Sequence, residues 1–438
     1  MRRALRPRVI ARALAAISIC LTQIPVALAA TDAQVQDARN RAVAWLVLQQ
    51  SGEGNWSQAG ASGVLTAASA ISAMRAAGAK GYPYHAALAW LSNVETASVD
   101  SLSRQIVALI EAQRQHDTLV ATLDEWKSPT VIRRVGAQAV IEPDAALWGT
   151  ARAHEFNFLD TAIALRAKRK STSNSLDVSA AAATLACHLL PHQSTVPSAP
   201  GRAWPLTFPA GGSNQGAHTN VVPSLLVTAL LAVEIHEIKA QYGIADSLIC
   251  GGTPRSISAA VNDAAAWILS RRGANGGFSD RGSSPPTITN VVDSAIAYAA
   301  LAVISPVNAG PTLDYLIAQQ NSASGHWNSE VVATALVASV LPPTPIQVDT
   351  DGDGMPDALE ALLGTSPTVR DGRGFAGGQG SHGSGLVALP CGVLGAEMQS
   401  CGFSGTAVQG QSFSLQLSAV GGSADIDGLC HRARFPEA

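Results

Sequence analysis

Apolar side chains recur at helical spacing between residues 33 and 341, and the alternation typical of strands is scarce there. Three segments end an amphipathic helix and lead into a glycine-rich turn with one aromatic: residues 44–50, 266–269 and 314–320. The turn aromatics Trp56, Phe278 and Trp327 follow the aromatic of the preceding helix by 11, 11 and 12 residues. A spacing this constant predicts one helical hairpin that is repeated along the chain.

The second helix of each hairpin begins with a small or hydroxylated residue and continues with alanine at close intervals. Six copies of this helix start are predicted, with third positions at Thr66, Asp100, Asp160, Pro223, Asp293 and Ala333. Long inserts separate the third, fourth and fifth copies. One of them, residues 191–220, is predicted to loop outward from the repeat.

The composition of the two helices predicts how the hairpins assemble. Alanine-rich second helices permit close helix packing, whereas the first helices carry bulkier Leu and Trp side chains. Each hairpin leaves an apolar face that a neighbouring hairpin must bury, and a closed ring leaves no face uncovered. We therefore expect an all-α fold, an (α/α)6 toroid of six helical hairpins over residues 31–341, with the small-residue helices inside.

Three features carry a resemblance to a known family. They are the Gln-Gln…Gly-x-Trp pattern of residues 49–56 and 319–327, the pair Trp148-Gly149, and residues 159–165. With these features the chain resembles the terpenoid cyclase and prenyltransferase (squalene cyclase-like) repeat family. The resemblance implies the toroid but says little about chemistry, because one fold hosts many functions. The second unit departs from the pattern, since no Gly-Trp turn occurs near residues 93–97.

The sharpest chemical motif lies at residues 349–360, where acidic residues alternate with other residues around Gly354. An EF-hand calcium loop takes oxygen ligands from positions 1, 3, 5, 7, 9 and 12 and needs glycine at position 6. The matching ligands are Asp349, Asp351, Asp353, the carbonyl oxygen of Met355, Asp357 and Glu360. The segment resembles the calcium loops of dockerins and thrombospondin type 3 repeats, and we expect it to bind Ca²⁺. A solvated acidic turn is the simpler alternative.

The regions around this motif differ in composition. Proline-rich residues 342–348 predict a stiff linker that separates the toroid from a calcium segment at residues 349–371. Glycine and serine dominate residues 372–400, which read as a second linker. Residues 401–438 contain an alternating stretch and resemble the opening of a bacterial immunoglobulin-like module. They are too few for a complete sandwich, so a truncated β tail is expected.

Three acidic residues, Asp100, Asp160 and Asp293, share one predicted position at the start of a second helix. In a closed toroid these helix starts would gather around one mouth. Aspartate is a preferred residue at helix starts because its negative charge suits the helix N-terminus. Capping is therefore the simpler interpretation, and a functional rim is the alternative.

The first thirty residues have the pattern of a signal peptide. Five arginines precede an apolar stretch at residues 13–26, and Ala27-Leu28-Ala29 supplies the small residues that a signal peptidase accepts. We expect a mature chain that starts near Ala30 and is secreted, periplasmic or displayed at the cell surface. In an oxidising compartment Cys187 with Cys250, and Cys391 with Cys401, are candidate disulfides, although spacing does not determine connectivity.

Charge and hydropathy narrow the partners. Removing five leader arginines from the 29 basic residues leaves 24 against 32 acidic ones. This balance argues against nucleic acid or an anionic membrane as partner. No long apolar run follows the leader, so no transmembrane span is expected after signal cleavage.

Enzymatic motifs of the resembling family are missing. Its cyclases protonate the substrate with an Asp-x-Asp-Asp motif, and its protein prenyltransferases hold zinc with an Asp-x-Cys pair; neither motif occurs here. We assign no catalytic residue. We expect a secreted calcium-binding toroid that acts as a binding or cell-surface interaction module, with its ligand open among a glycan, a lipid and a protein. The alternative is a divergent cyclase-like, prenyltransferase-like or carbohydrate-active enzyme that uses the toroid cavity.

Overall fold

A computed structural model describes residues 30–56, 61–127, 131–135, 138–142, 147–152, 154, 157–171, 186, 190, 194–195, 200–205, 223–250, 252–280, 285–370, 389–390 and 400–401. The predicted signal peptide, most of the second linker and nearly all of the predicted β tail lie outside this part of the chain. Within the described part the protein is mostly helical, with twelve α-helices and four short antiparallel strand pairs. This confirms the helical fold class.

The helices are α1 Asp32–Gln49, α2 Ala61–Ala77, α3 Tyr82–Asn93, α4 Val99–Glu111, α5 Asp117–Glu125, α6 Phe158–Lys170, α7 Leu225–Tyr242, α8 Ile257–Ser270, α9 Val291–Ile304, α10 Gly310–Ala318, α11 Val331–Val340 and α12 Asp357–Leu363. The strands, each paired with its neighbour in the list, are β1 Val131–Val135, β2 Gln138–Glu142, β3 Ser194–Thr195, β4 Arg202–Ala203, β5 Ser247–Cys250, β6 Thr253–Ser256, β7 Leu389–Pro390 and β8 Ser400–Cys401. Among the described helices, none combines the length and the apolar character that a bilayer crossing requires.

Six helices form a closed cycle of contacts. Helices α2, α4, α6, α7, α9 and α11 each pack against the next in chain order, and α11 packs back against α2. Alanines at the α2 and α11 contact are completely buried: Ala67, Ala70, Ala73, Ala335 and Ala338. Small side chains at a contact allow two helix axes to approach closely. These alanine-rich second helices, called the inner helices below, pack against one another around the cycle.

Five other helices lie outside this cycle, and three of them each contact two successive inner helices. Helix α3 contacts α2 and α4, α5 contacts α4 and α6, α8 contacts α7 and α9, and α10 contacts α9. Helix α1 packs against both α2 and α11 and also touches α10, so it covers the place where the chain closes on itself. The sixth outer helix would belong between α6 and α7, where most of residues 172–222 lie outside the described part. The six-hairpin count therefore stays a prediction.

A hydroxyl near the start of the inner helix fastens the turn aromatic in four of the units. The backbone N–H of the aromatic donates to the hydroxyl oxygen of the fourth residue of the inner helix. The pairs are Trp148 with Thr161, Trp204 with Thr228 and Trp327 with Thr334, each at 3.0 Å, and Phe278 with Ser294 at 2.8 Å. All eight residues are buried. The hydroxyl bond therefore explains the Ser or Thr at the start of these four inner helices.

This pairing shifts the predicted register of the fourth unit. Trp204 lies within residues 191–220, yet it is completely buried, and β4 immediately before it packs against α8. The prediction that this whole insert loops outward is wrong for residues 202–204. Pro223 precedes the N-cap residue Ser224 of α7, so Val227 rather than Pro223 occupies the third helical position there.

The glycine of each turn lies against the outer helix of the next unit. Gly54 has a φ of +86°, and a Cβ added to it would overlap the carbonyl group of Ala86 in α3. Gly325 has a φ of +80°, and a Cβ there would lie 2.5 Å from the carbonyl oxygen of Arg41 in α1. Glycine is needed for both the conformation and the close approach. The last turn thus packs on the first helix in the way that the first turn packs on the third.

A glutamine before the first turn and another before the last turn join the same elements. The Nε2 group of Gln50 donates to the carbonyls of Gly54 and Pro83, both at 2.9 Å. The Nε2 group of Gln320 donates to the carbonyls of Gly325 and Ala38, both at 2.7 Å. Because Ala38 belongs to α1, the second glutamine links the end of the chain repeat to its beginning.

The second unit replaces the missing turn with a different glutamine. Gln105 of α4 is buried, and its Nε2 group donates to the carbonyls of Leu91 at 2.6 Å and Val94 at 3.1 Å. These carbonyls end α3, where the four terminal carbonyl groups of a helix lack intrahelical partners. In this unit, which lacks a Gly-Trp turn, the side-chain amide of Gln105 therefore binds the end of the outer helix to the inner helix.

Candidate calcium site and the acidic helix starts

The loop before α12 curls because two of its glycines adopt left-handed conformations. Gly352 has a φ of +72° and Gly354 a φ of +90°. The carboxylate of Asp349 accepts hydrogen bonds from the backbone N–H groups of Gly352 at 2.8 Å and Gly354 at 3.0 Å. Asp353 accepts from the N–H of Met355 at 2.8 Å. These bonds turn the aspartate side chains toward the inside of the loop.

Three of the predicted calcium ligands converge. Carboxylate oxygens of Asp349, Asp351 and Asp353 all lie within 4.8 Å of one another. Oxygens at this spacing can contact one Ca²⁺ ion together, because its ligands lie at 2.3–2.6 Å. Loss of hydration raises the pKa of Asp351, and the negative charges of Asp353 and Asp349 raise it further. A cation between the three groups would relieve that repulsion.

The other predicted carboxylates have different surroundings. Asp357 accepts hydrogen bonds from the N–H of Thr350 at 2.7 Å and from its hydroxyl at 2.6 Å. These bonds hold the pKa of Asp357 below its usual range. Glu360 is completely buried, and its Oε1 lies 3.5 Å from the hydroxyl of Thr365. Three of the predicted ligands therefore lie together, and Asp357 joins the start of the loop to α12 through its bonds to Thr350. The full ligand set stays a prediction.

The calcium segment is packed against the helical ring. The backbone N–H of Lys80 donates to the carbonyl of Gly354 at 2.6 Å. Met355 and Leu359 are 4% and 0% exposed and belong to the same hydrophobic core as α1 and α2. Helix α12 contacts α1 directly. The sequence instead suggested a segment that a stiff linker keeps apart from the ring.

The proline-rich linker is itself fastened to the ring by a buried arginine of α1. The Arg39 side chain is completely buried, and its Nη2 donates to the carbonyls of Leu341 at 2.8 Å and Pro342 at 2.6 Å. Its Nη1 donates to the hydroxyl of Thr344 at 2.9 Å. Burial lowers the pKa of Arg39 from its ordinary value. The linker of residues 342–348 is therefore held against the ring. Pro342 and Thr344 supply oxygen acceptors to the buried guanidinium of Arg39, which has no access to water.

At two of the three acidic helix starts the N-cap residue is an asparagine, and the predicted acid lies three residues after it. Asp160 and Asp293 are each the third residue of an inner helix, and the backbone N–H of each donates to the side chain of the N-cap asparagine, Asn157 or Asn290, at 2.8 and 2.7 Å. The asparagine Nδ2 in turn donates to the aspartate Oδ2. Reciprocal bonds of this kind satisfy helix-end groups that lack partners.

Asp100 differs from these two residues. It is the second residue of α4, where the N-cap Ser98 accepts a hydrogen bond from the N–H of Ser101 at 3.2 Å. Its carboxylate pairs with Arg104 one turn later, at 2.9 Å. Asp100 therefore lies one helix position earlier than Asp160 and Asp293, and the prediction that the three acids are equivalent is wrong for Asp100.

Sequence reasoning missed an ion-pair network that joins the far ends of three inner helices. Glu111 of α4 pairs with Arg75 of α2 at 2.8 Å and with Lys170 of α6. Burial would raise the pKa of Glu111, but these cations hold it below its ordinary value. The charges of the three residues could be read from the sequence, but their meeting could not, because they lie 36 and 59 residues apart.

Comparison with known proteins adds no family assignment. No protein-family model matches the chain, and a search of curated proteins finds no match. Among solved structures, the chain is similar to the type II terpene cyclase MstE from Scytonema in its apo form. That likeness has a TM-score of 0.44 and 14% sequence identity, over 71% of this chain and 98% of the other. A likeness of this size assigns no chemistry to the present chain.

Proposed function

We propose that this chain is an exported protein whose ring of helical hairpins acts as a binding or cell-surface interaction module and carries a structural Ca²⁺ ion at residues 349–360. The convergence of Asp349, Asp351 and Asp353 in a glycine-curled loop is the observation that supports this most directly. Carboxylates held this close repel each other unless a cation shares them. Calcium takes six to eight oxygens, which suits a loop that offers several carboxylates and a backbone carbonyl.

Further ligands would come from the Met355 carbonyl, Asp357 and Glu360. Position 9 of such loops often binds the ion through a water, so Asp357 can keep its bonds to Thr350 while it contributes. The ion would neutralise the loop and hold its backbone in the docked conformation. In this proposal its role is structural, since the loop lies against Lys80 and α1.

Export is supported by two further features. The first thirty residues have the charged, apolar and small-residue regions of a signal peptide. Cys250 is disulfide-bonded, and disulfides persist mainly in oxidising compartments such as the periplasm and the cell exterior. The other predicted disulfide partner, Cys187, lies outside the described residues.

The proposal includes no cyclase or prenyltransferase turnover. A carboxylic acid that protonates a substrate must present an available proton near the reacting carbon. Asp160 and Asp293 instead accept hydrogen bonds from the asparagines that cap their own helices. Side chains committed to helix caps favour a structural role over a proton-donating one.

Isothermal titration of the chain from residue 30 onward with CaCl₂ tests the calcium site. We expect one site in the wild-type protein and a loss of at least tenfold in affinity for Asp353→Asn. The matched control is Asp117→Asn, since Asp117 is an exposed acid at the start of α5. Undiminished calcium uptake by Asp353→Asn, or a loss shared by Asp117→Asn, would exclude this ligand set.

Incubation with squalene and with prenyl diphosphates, with and without zinc or magnesium, tests the alternative. We expect no product from the wild-type protein. Product formation that disappears in Asp160→Asn or Asp293→Asn, while circular dichroism shows both variants folded, would favour the enzyme over the binding module.

A further inference from the structure

The first described residue of the chain lies at the seam where the ring closes. Helix α1 contacts both α10 and α11, the last outer and last inner helices. The backbone nitrogen of Ala30 donates a hydrogen bond to Oδ1 of Asp314 in α10 at 2.7 Å. Ala30 also packs against the main hydrophobic core. One hydrogen bond therefore joins residues that lie 284 positions apart.

The local structure fixes where this nitrogen points. Thr31, the next residue, caps α1: its hydroxyl accepts from the N–H of Gln34 at 3.3 Å. The side chain of Gln34 accepts in return from the N–H of Thr31 at 2.9 Å. This capping box holds the chain at Thr31 and places the nitrogen of Ala30 beside Asp314.

The sequence places a processing signal on the other side of the same nitrogen. Ala27-Leu28-Ala29 has small residues at the positions that a signal peptidase reads, and the following bond joins Ala29 to Ala30. Thr31 would make a poorer first residue, because its backbone N–H already serves the capping box. The cleavage signal and the structural contact therefore single out one peptide bond independently.

We propose that export processing cuts the Ala29–Ala30 bond and that the α-ammonium group so formed makes an ion pair with Asp314 that fastens the first helix of the ring to the last outer one. This inference rests on the export part of the proposed function. Water adds across the amide bond under the action of a signal peptidase: Ala29 leaves as a carboxylate, and the nitrogen of Ala30 takes up protons and becomes –NH₃⁺.

The cleavage adds a positive charge to a contact whose acceptor is already a carboxylate. Before it, Asp314 accepts one N–H from a peptide group; after it, the same carboxylate faces a cation with three donors. The carboxylate already strengthens the hydrogen bond before cleavage, and the ammonium group adds a Coulomb attraction between opposite charges. Partial burial of the contact limits its screening by salt. Removal of the leader therefore strengthens the closure of the ring.

The first test is the mass of the mature protein after export from a bacterial host. We expect an N-terminus at Ala30. A start at another residue would overturn this inference while leaving export intact. An unprocessed exported chain would overturn it too, and retention in the cytoplasm would remove the export part of the proposed function, so the two failures are distinguishable.

The second test separates the charge from the hydrogen bond. Protein that begins at Ala30 is compared with the same protein acetylated at its α-amine, which keeps an N–H donor and removes the charge. We expect Asp314→Asn to lower the Tm by about 2 °C with the free amine and by about half of that with the acetylated one.

Asp117→Asn is the matched control, and its effect should be equal in the two forms. An equal effect of Asp314→Asn in both forms would overturn the ion pair. Should Asp314→Asn fail to fold, the Tm difference between free and acetylated wild-type protein decides instead: no difference would overturn the proposal.

Discussion

Two groups of acidic residues, one in the loop before α12 and one at the starts of inner helices, use the same side chain in opposite ways. In the loop, carboxylates of Asp349, Asp351 and Asp353 converge within 4.8 Å. At the helix starts, Asp160 and Asp293 each exchange hydrogen bonds with their own N-cap residue. The backbone makes the difference: two left-handed glycines curl the loop around one centre, whereas a helix end offers each acid its own donors.

The comparison separates a loop that we propose to bind a cation from helix starts that hold their acids with hydrogen bonds. The loop brings three carboxylates within 4.8 Å of one another. The helix-start acids are balanced by the helix dipole and by asparagine amides. We therefore expect changes in the loop region to depend on calcium and changes at the helix starts to be independent of it.

The largest effect is expected where α12 enters the core. Leu359 is completely buried in the core that α1 and α2 share. Leu359→Ala should lower the free energy of unfolding by about 3 kcal/mol through the lost burial and the cavity left behind. Chemical denaturation in excess calcium, followed by helical circular dichroism, measures this change.

Leu362→Ala is the matched control in the same helix. Leu362 is 46% exposed, so its truncation should cost well under 1 kcal/mol. Equal effects of the two substitutions would show that α12 is detached from the ring, as the proline-rich linker first suggested.

Calcium removal should have the next largest effect, and it should reach the whole ring. A ligand at one hundred times its Kd stabilises the state that binds it by about 2.7 kcal/mol. Because Gly354 and Met355 contact the α2–α3 region, this stabilisation should appear in the main helical melting transition. The measurement is the Tm in CaCl₂ and after chelation, with MgCl₂ as the control ion.

Two outcomes would contradict this coupling. A main transition with an unchanged Tm would mean that the loop binds calcium without affecting the ring. A small separate transition that alone responds to calcium would restore the picture of two independent units.

A helix-start substitution should cost less and be indifferent to calcium. Asn157→Ala removes the side chain that caps α6 and bonds Asp160. Loss of an N-cap side chain costs about 1 kcal/mol. The measurement is chemical denaturation with and without calcium, and Asn93→Ala, at the exposed end of α3, is the control. A loss that changes with calcium concentration would break the distinction between the two acidic groups.

Much of the ring could be predicted because each residue of the repeat makes one specific contact. The glutamine, glycine and tryptophan of the first turn bind the neighbouring helix and the preceding carbonyls, and the last turn repeats this. The bonds from Trp56 to Leu46 and from Trp327 to Leu316 are local in the chain, and local contacts leave a local pattern in the sequence. Trp204 escaped notice because 24 residues separate it from its hydroxyl partner, against 7 for Trp327.

The docking of the calcium segment could not be predicted for a related reason. Arg39 and the carbonyl of Leu341 lie 302 residues apart, and nothing in the local sequence of either indicates the other. The EF-hand pattern located the converging acids, because their spacing is set by the loop alone. Its prediction said nothing about the surface behind the loop, which depends on the side chains of α1 and the α2–α3 turn.

The smallest effect is expected for Asp100, and it sharpens the comparison within the helix-start group. Sequence spacing placed Asp100 with Asp160 and Asp293, yet it lies one position earlier in its helix and pairs with Arg104. A partly exposed pair one helical turn apart contributes about 0.3–0.5 kcal/mol, and 0.5 M salt should remove most of it. Asp100→Asn should therefore lower the free energy of unfolding slightly at low salt and hardly at all at high salt.

Asn157→Ala should keep its effect in both conditions, because a capping bond between neutral groups is little screened. If Asp100→Asn proved as costly as Asn157→Ala and equally resistant to salt, Asp100 would belong with the capping acids, and the register derived from Ser98 and Ser101 would be wrong.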